Sequence, residues 1–154
     1  MAYLTYVIDH YDSLPAVIAF LHSHRKGFWG AWHTDSRLHD NVDSMRKLQL
    51  DYVRQNGYVN LRCNWSPGCD FKDRQNTHVT PEIWEQLFEG TPFPGEVGAG
   101  CCAQFAVSKA QVLRRPQQEY EKYRQWLLDT EMTDRKSGRV FEYTWQVIFG
   151  KDAV

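Results

Sequence analysis

The stretch "FLHSHRKGFWGAWH", residues 20–33, concentrates the residues best suited to chemistry. His22 and His24 are two positions apart, so in an extended segment their rings face the same side. Converging neutral imidazoles bind Zn, Mn or Fe. His33 supplies a third ligand if "RKGFWGAW" folds back, and Asp35 or Asp40 would then orient a ring. Two simpler readings stay open: histidines that contact a ligand by hydrogen bonds, and histidines that only support structure. The spacing is not His-Glu-x-x-His, nor any other pattern that names a metal.

Four further residues stand out. Arg25 follows the histidine pair and Arg62 ends a strand-like run; a planar guanidinium at either place suits phosphate or carboxylate, or else a surface ion pair. Gln104 interrupts the apolar "CCAQFAVS". Buried polar groups need partners, so it either satisfies neighbouring backbone or points into a pocket. Glu142 lies between Phe141 and Tyr143, where a carboxylate is costly unless paired. A partner such as Arg139 or a histidine is expected, or else Glu142 serves as a general base.

The elements that must position these residues follow from periodicity. "YLTYVIDHYDSL" has helical spacing at positions 4, 7, 8 and 11, and Pro15 ends it. "AVIAFL", 16–21, reads as a strand buried on both faces, as in a parallel sheet. Leu38, Val42, Met45, Leu48 and Tyr52 share a helix face, with Ser36 as cap and Gly57 as stop. "YVNLRC", 58–63, is a strand, and Thr80 caps a helix whose first residue is Pro81. After the loop 91–100 come the strand "CCAQFAVS" and a helix around "RPQQEYEKYRQWLLDTE". A last helix, from Ser137 to Gly150, is apolar nearly all round. This alternation predicts an α/β fold with a mainly parallel sheet flanked by helices. It places His22 and His24 at a strand's carboxyl end, where such sheets bind ligands.

The totals bound the function. The chain has 154 residues, a formal net charge of -1 and an aromatic-rich composition. One domain over residues 1–154 is expected. No basic stripe suggests nucleic acid, and no stretch is apolar for the roughly 20 residues of a membrane span. No leader follows Met1, so the expected place is the cytoplasm if the chain is complete, and the secretory pathway if an upstream segment is missing. Oligomeric state is open. Cys63 and Cys69 bracket "NWSPG" and could close a disulfide loop. Cys101 and Cys102, read in a strand, point to opposite faces and so would rarely serve as a pair. The plain reading of all four is small buried apolar residues. No G-x-G-x-x-G, G-K-[ST] or G-x-S-x-G is present, which removes the usual warrants for dinucleotide, P-loop and α/β-hydrolase chemistry.

Five blocks in order carry a resemblance: "YLTYVIDHYDSLP", "FLHSHR…WH", "GYVNLRC.W.PGC", "CCAQFAVS" and "SGRV.EY.W..IFG". On these the chain is identified as a member of a fungal-centred family, domain of unknown function 3431. That family is in turn similar to GT-A-type glycosyltransferases, whose Asp-x-Asp holds Mn²⁺ and a nucleotide-sugar diphosphate. The resemblance puts His22 and His24 where those carboxylates stand. It implies a GT-A-like fold lacking its first strands, as a shortened version of a longer family domain. It also implies a glycosyltransferase in which His22, His24 and Arg25 hold the diphosphate or a divalent metal (Mn or Zn). Glu142 is then the base or an orienting group, and Gln104 an acceptor contact. The histidines depart from the pattern, because a hard cation prefers oxygen ligands. Two other expectations stand beside it. One is a non-catalytic accessory or binding protein. The other is an enzyme of small-molecule, secondary-metabolite biosynthesis whose aromatic loop 28–33 lines an apolar pocket.

Overall fold

The computed structural model describes residues 1–62, 64–70, 72 and 77–154. Helix α1 (Ala2–Asp9) buries Leu4, Val7 and Ile8, the stripe its spacing predicts. A short 3-10 turn, Tyr11–Ser13, leads to strand β1 (Val17–Phe20). Then follow α2 (Phe28–Ala31), α3 (Asn41–Arg46), α4 (Leu50–Asn56) and strand β2 (Tyr58–Asn60). The second half holds α5 (Pro81–Leu87), strand β3 (Phe105–Ser108), α6 (Lys109–Val112), α7 (Gln117–Asp129) and α8 (Asp134–Ile148). Among the described residues, no helix is long and apolar enough to cross a membrane.

The sheet overturns the expected fold class. It has three strands in the order β1-β3-β2, and both pairings are antiparallel. The GT-A-like, mainly parallel sheet flanked by helices is therefore not what this sequence forms. The run at β3 misled because it is buried on both faces; β1, expected to be covered likewise, is not, since Ala19 is exposed and Val17 half-buried. Phe105 and Val107 enter the main apolar cluster, while Ala106 is equally buried but lies outside it. Helix α4, with its buried Val53, packs against all three strands. An antiparallel strand covered on both sides reads in sequence like a parallel one.

Two helices also differ from expectation. The stretch from Ser36 to Gly57 is not continuous. Leu38 and His39 take positive φ values of 73° and 49°, and Ser36 closes that turn by bonding both the N–H and the carbonyl of Asp40. Asp40, not Ser36, then caps α3 by accepting from the Val42 N–H at 2.8 Å. Gly57 does end α4, at φ 77°, and a Cβ there would lie 2.2 Å from Gln111 Oε1. Helix α8 starts a turn earlier than expected and is two-faced: Val140, Phe141, Thr144, Trp145 and Ile148 are buried, whereas Gly138 and Arg139 are exposed. Thr80 caps α5 as expected, accepting from the Ile83 N–H.

The core is centred on Phe105. Its ring lies within 5.8 Å, centroid to centroid, of Tyr3, Phe20, Tyr58, Trp145 and Phe149. Helix α1 is tied to α7 by packing and by Gln117, which donates to the Ile8 carbonyl at 3.0 Å. Arg115 closes the other side, donating from Nε and Nη2 to the Ile148 and Val147 carbonyls at the end of α8.

Candidate functional site

The antiparallel sheet still gathers the chemistry at one end. Phe20 and Asn60 both pair with Phe105, so the carboxyl ends of β1 and β2 meet the amino end of β3. His22 follows β1, Arg62 follows β2 and Gln104 precedes β3. The Gln104 Oε1 accepts from the His22 N–H at 3.0 Å, and its own carbonyl accepts from the Leu61 N–H. Gln104 thus satisfies backbone and fixes where His22 leaves the sheet.

The loop after β1 folds back. Thr34 Oγ1 donates to Asn41 Oδ1 at 2.6 Å, and Asn41 Nδ2 donates to the His24 carbonyl at 2.7 Å. Gly30 lies against the His24 ring, where an added Cβ would be 3.8 Å away. This brings His33 to His22, with ring centroids 4.5 Å apart, and to His24, at 6.4 Å. The His33 Nε2 is buried and has no hydrogen-bond partner among the described residues. Asp40 is occupied capping α3, and Asp35 accepts from the Asn64 N–H and side chain.

These rings line a cleft of about 550 Å³. Opposite them stands α8, contributing Arg135, Arg139 and Glu142, and the exposed indoles of Trp29 and Trp32 form its rim. Glu142 is largely buried. It accepts from Arg139 Nη1 and from the Cys102 N–H, each at 2.5 Å. A second hollow, of about 620 Å³, shares Arg135, Arg139 and Glu142 and adds Lys136, His78 and Cys101.

Between the two hollows lies a feature the sequence reading missed. Cys101 and Cys102 are disulfide-bonded to each other. They lie in a turn before β3, not in the strand, and Cys102 and Ala103 have φ values of 82° and 48°. The opposite-face argument failed because it assumed extended backbone; the glycines at 98 and 100 were the available sign of a turn. The Cys63–Cys69 bridge that "NWSPG" left open lies outside the described residues, because Cys63 does.

Three sequence candidates do not line the cleft: Arg25, Arg62 and Gln104, the last of which is buried and holds backbone. Arg25 is exposed and lines a separate shallow apolar hollow with Val42 and Met45. The Arg62 guanidinium sits over the Trp32 ring, 4.9 Å from its centroid, with Nε and Nη1 buried and unpartnered among the described residues. Conversely, Arg135 was not anticipated. It is an ordinary surface arginine in sequence, and only its place on α8 beside Glu142 makes it part of the site.

Burial holds the pKa of His22 below its usual value; the nearby Glu142 charge and a bond to the Cys102 carbonyl oppose this, while His24 adds to it. His33 is also lowered, by burial first and then by His22, His24, Arg62 and His39. Both rings therefore bind protons more weakly folded than unfolded. Above about pH 6.5 both states hold neutral rings and this contribution to stability is complete. As pH falls below that, the unfolded chain takes up more protons and the stability is lost. Unfolding midpoints should therefore drop between about pH 7 and pH 5, and drop less steeply in His33→Gln. Equal slopes in the two proteins would show that His33 does not titrate this way.

Helices on both faces of a short antiparallel sheet, with an imidazole and guanidinium cleft at one end, define this as a helix-rich α+β domain. The chain belongs to the family described as protein of unknown function (DUF3431), whose model matches residues 1–154. No curated protein and no solved structure matches it.

Proposed function

We propose that the cleft binds the diphosphate of a nucleotide-activated sugar and that the protein transfers the sugar. The observation that carries this is the donor set: two guanidiniums face a single carboxylate, and three imidazoles stand beside them as hydrogen-bond donors. Such a surface favours a polyanion, and fixed donors of this kind stabilise a diphosphate leaving group. His22, His24 and His33 with Arg135 supply the donors. The exposed indole of Trp29 offers a flat face on which a nucleobase can stack. In this reading Arg139, half-exposed and paired to Glu142, turns to the incoming phosphate. Glu142 is then released to accept a proton from the acceptor hydroxyl.

The reading rests on this cleft and not on sheet topology. Imidazoles suit Zn²⁺ better than Mn²⁺, and the unpartnered His33 Nε2 is the atom with most to gain from an ion. A second reading, a binding protein without catalysis, is favoured by one observation: both Glu142 oxygens are already engaged.

The test is thermal unfolding against a panel of nucleotide sugars, with and without Mn²⁺ or Zn²⁺. A ligand specific to the folded state adds about 2.7 kcal/mol at a hundred times its dissociation constant. A rise with one nucleotide, lost in the double variant His22→Ala/His24→Ala, supports the site. No rise with any member removes the nucleotide-sugar reading; a rise without turnover leaves the binding protein.

A further inference from the structure

We infer that reduction of the Cys101–Cys102 bond opens a metal site of two thiolates and one carboxylate, selective for a borderline-soft cation such as Zn²⁺. The sulfurs of Cys101 and Cys102 and a Glu142 oxygen all lie within 4.8 Å of one another. A zinc–thiolate bond is about 2.3 Å and a zinc–carboxylate bond about 2.0–2.2 Å, so one ion can reach all three ligands once the sulfurs are released from each other and move apart. Among the described residues no other group of three metal-ligating side chains is gathered so closely. While the sulfurs are bonded to each other they are poor ligands, since the thiolate is the binding form.

The chemistry balances with a phosphine or a dithiol as reductant. A phosphine takes the oxygen of one water, becoming its oxide, and the disulfide gains two electrons and two protons. Zn²⁺ then displaces both thiol protons. Glu142 contributes the third bond by giving up Arg139, which lies half in solvent and can swing away. The fourth position is left for water, the arrangement of zinc sites that keep an open coordination place. The cation stands at the wall between the two hollows, since Cys101 lines one and Cys102 the other. The site does not depend on nucleotide-sugar binding, which is tested on the oxidised chain.

The probe is Co²⁺, followed by the near-ultraviolet thiolate-to-cobalt absorption and displaced by Zn²⁺ under anaerobic conditions. The phosphine-reduced chain should show the band, and the untreated chain should not. The band should vanish in Cys101→Ser/Cys102→Ser and persist in Cys63→Ser/Cys69→Ser. Glu142→Gln should weaken Zn²⁺ at least about tenfold, the scale seen when a metal site loses a supporting group. A band that is present without reduction, or that follows Cys63 and Cys69, overturns the inference. Should the Cys101/Cys102 variant fail to unfold cooperatively, the other two variants decide: a band lost in Cys63→Ser/Cys69→Ser, or Zn²⁺ affinity unchanged in Glu142→Gln, refutes the site.

Discussion

Replacing Phe105 with alanine is expected to remove about 3–5 kcal/mol of stability, the usual cost of truncating a buried phenylalanine. The side chain is fully buried on the central strand, and five aromatic rings from α1, β1, β2 and the α8 end close on it. Rings held this way cannot collapse far into the space left behind, so the cavity term adds to the lost transfer energy. A domain of this kind has only about 5–15 kcal/mol in hand. Urea unfolding should therefore show a much lower midpoint with an unchanged slope. A loss below about 1.5 kcal/mol, the range of tolerated core swaps, would show that the cluster repacks and that Phe105 is not its centre.

The second large effect concerns Glu142. Glu142→Gln keeps one oxygen to accept the Cys102 N–H and removes the charge that holds Arg139. If the proposed transfer runs through this carboxylate, turnover should fall about 10²–10⁴-fold, the range for a positioned proton acceptor. The stabilisation by donor should survive, because the imidazoles and Arg135 remain. Turnover within a few-fold of wild type would exclude Glu142 as the base. Loss of donor binding together with turnover would make it a structural support of the cleft instead.

Much of the local structure was legible in the sequence. Leu4, Val7 and Ile8 announced α1, Thr80-Pro81 announced α5, and Gly57 marked the end of α4. Those signals act within a turn of the chain, where steric and hydrogen-bond rules decide. Strand direction is not local. "AVIAF" and "FAVS" show apolar character on both faces, but which way their partners run depends on loops of tens of residues. Ser36 misled in a similar way: it looks like a helix cap, yet its hydroxyl serves a turn that Leu38 and His39 make at positive φ. His22 and His24 were picked out by type and spacing. Their meeting with Arg135 and Glu142 depends on how α8 crosses the sheet end, which no periodicity encodes. The position at the sheet end survived the wrong topology for a simple reason. β1 and β2 run the same way on either side of β3, so their carboxyl ends still coincide.

The order β1-β3-β2 has a consequence for how the chain is made. The middle strand follows both of its neighbours in sequence, so synthesis delivers β1 and β2 before the strand that joins them exists. Until Phe105–Ser108 emerges, the apolar segments around Val17–Phe20 and Tyr58–Asn60 have no native sheet partner. Pairings this distant meet the entropy of loop closure before they gain contacts, which slows folding and lengthens exposure. A ribosome stalled before residue 105 would thus display two unpaired strand segments, the kind of edge that recruits another chain. The nascent chain is at its most aggregation-prone just before its centre arrives.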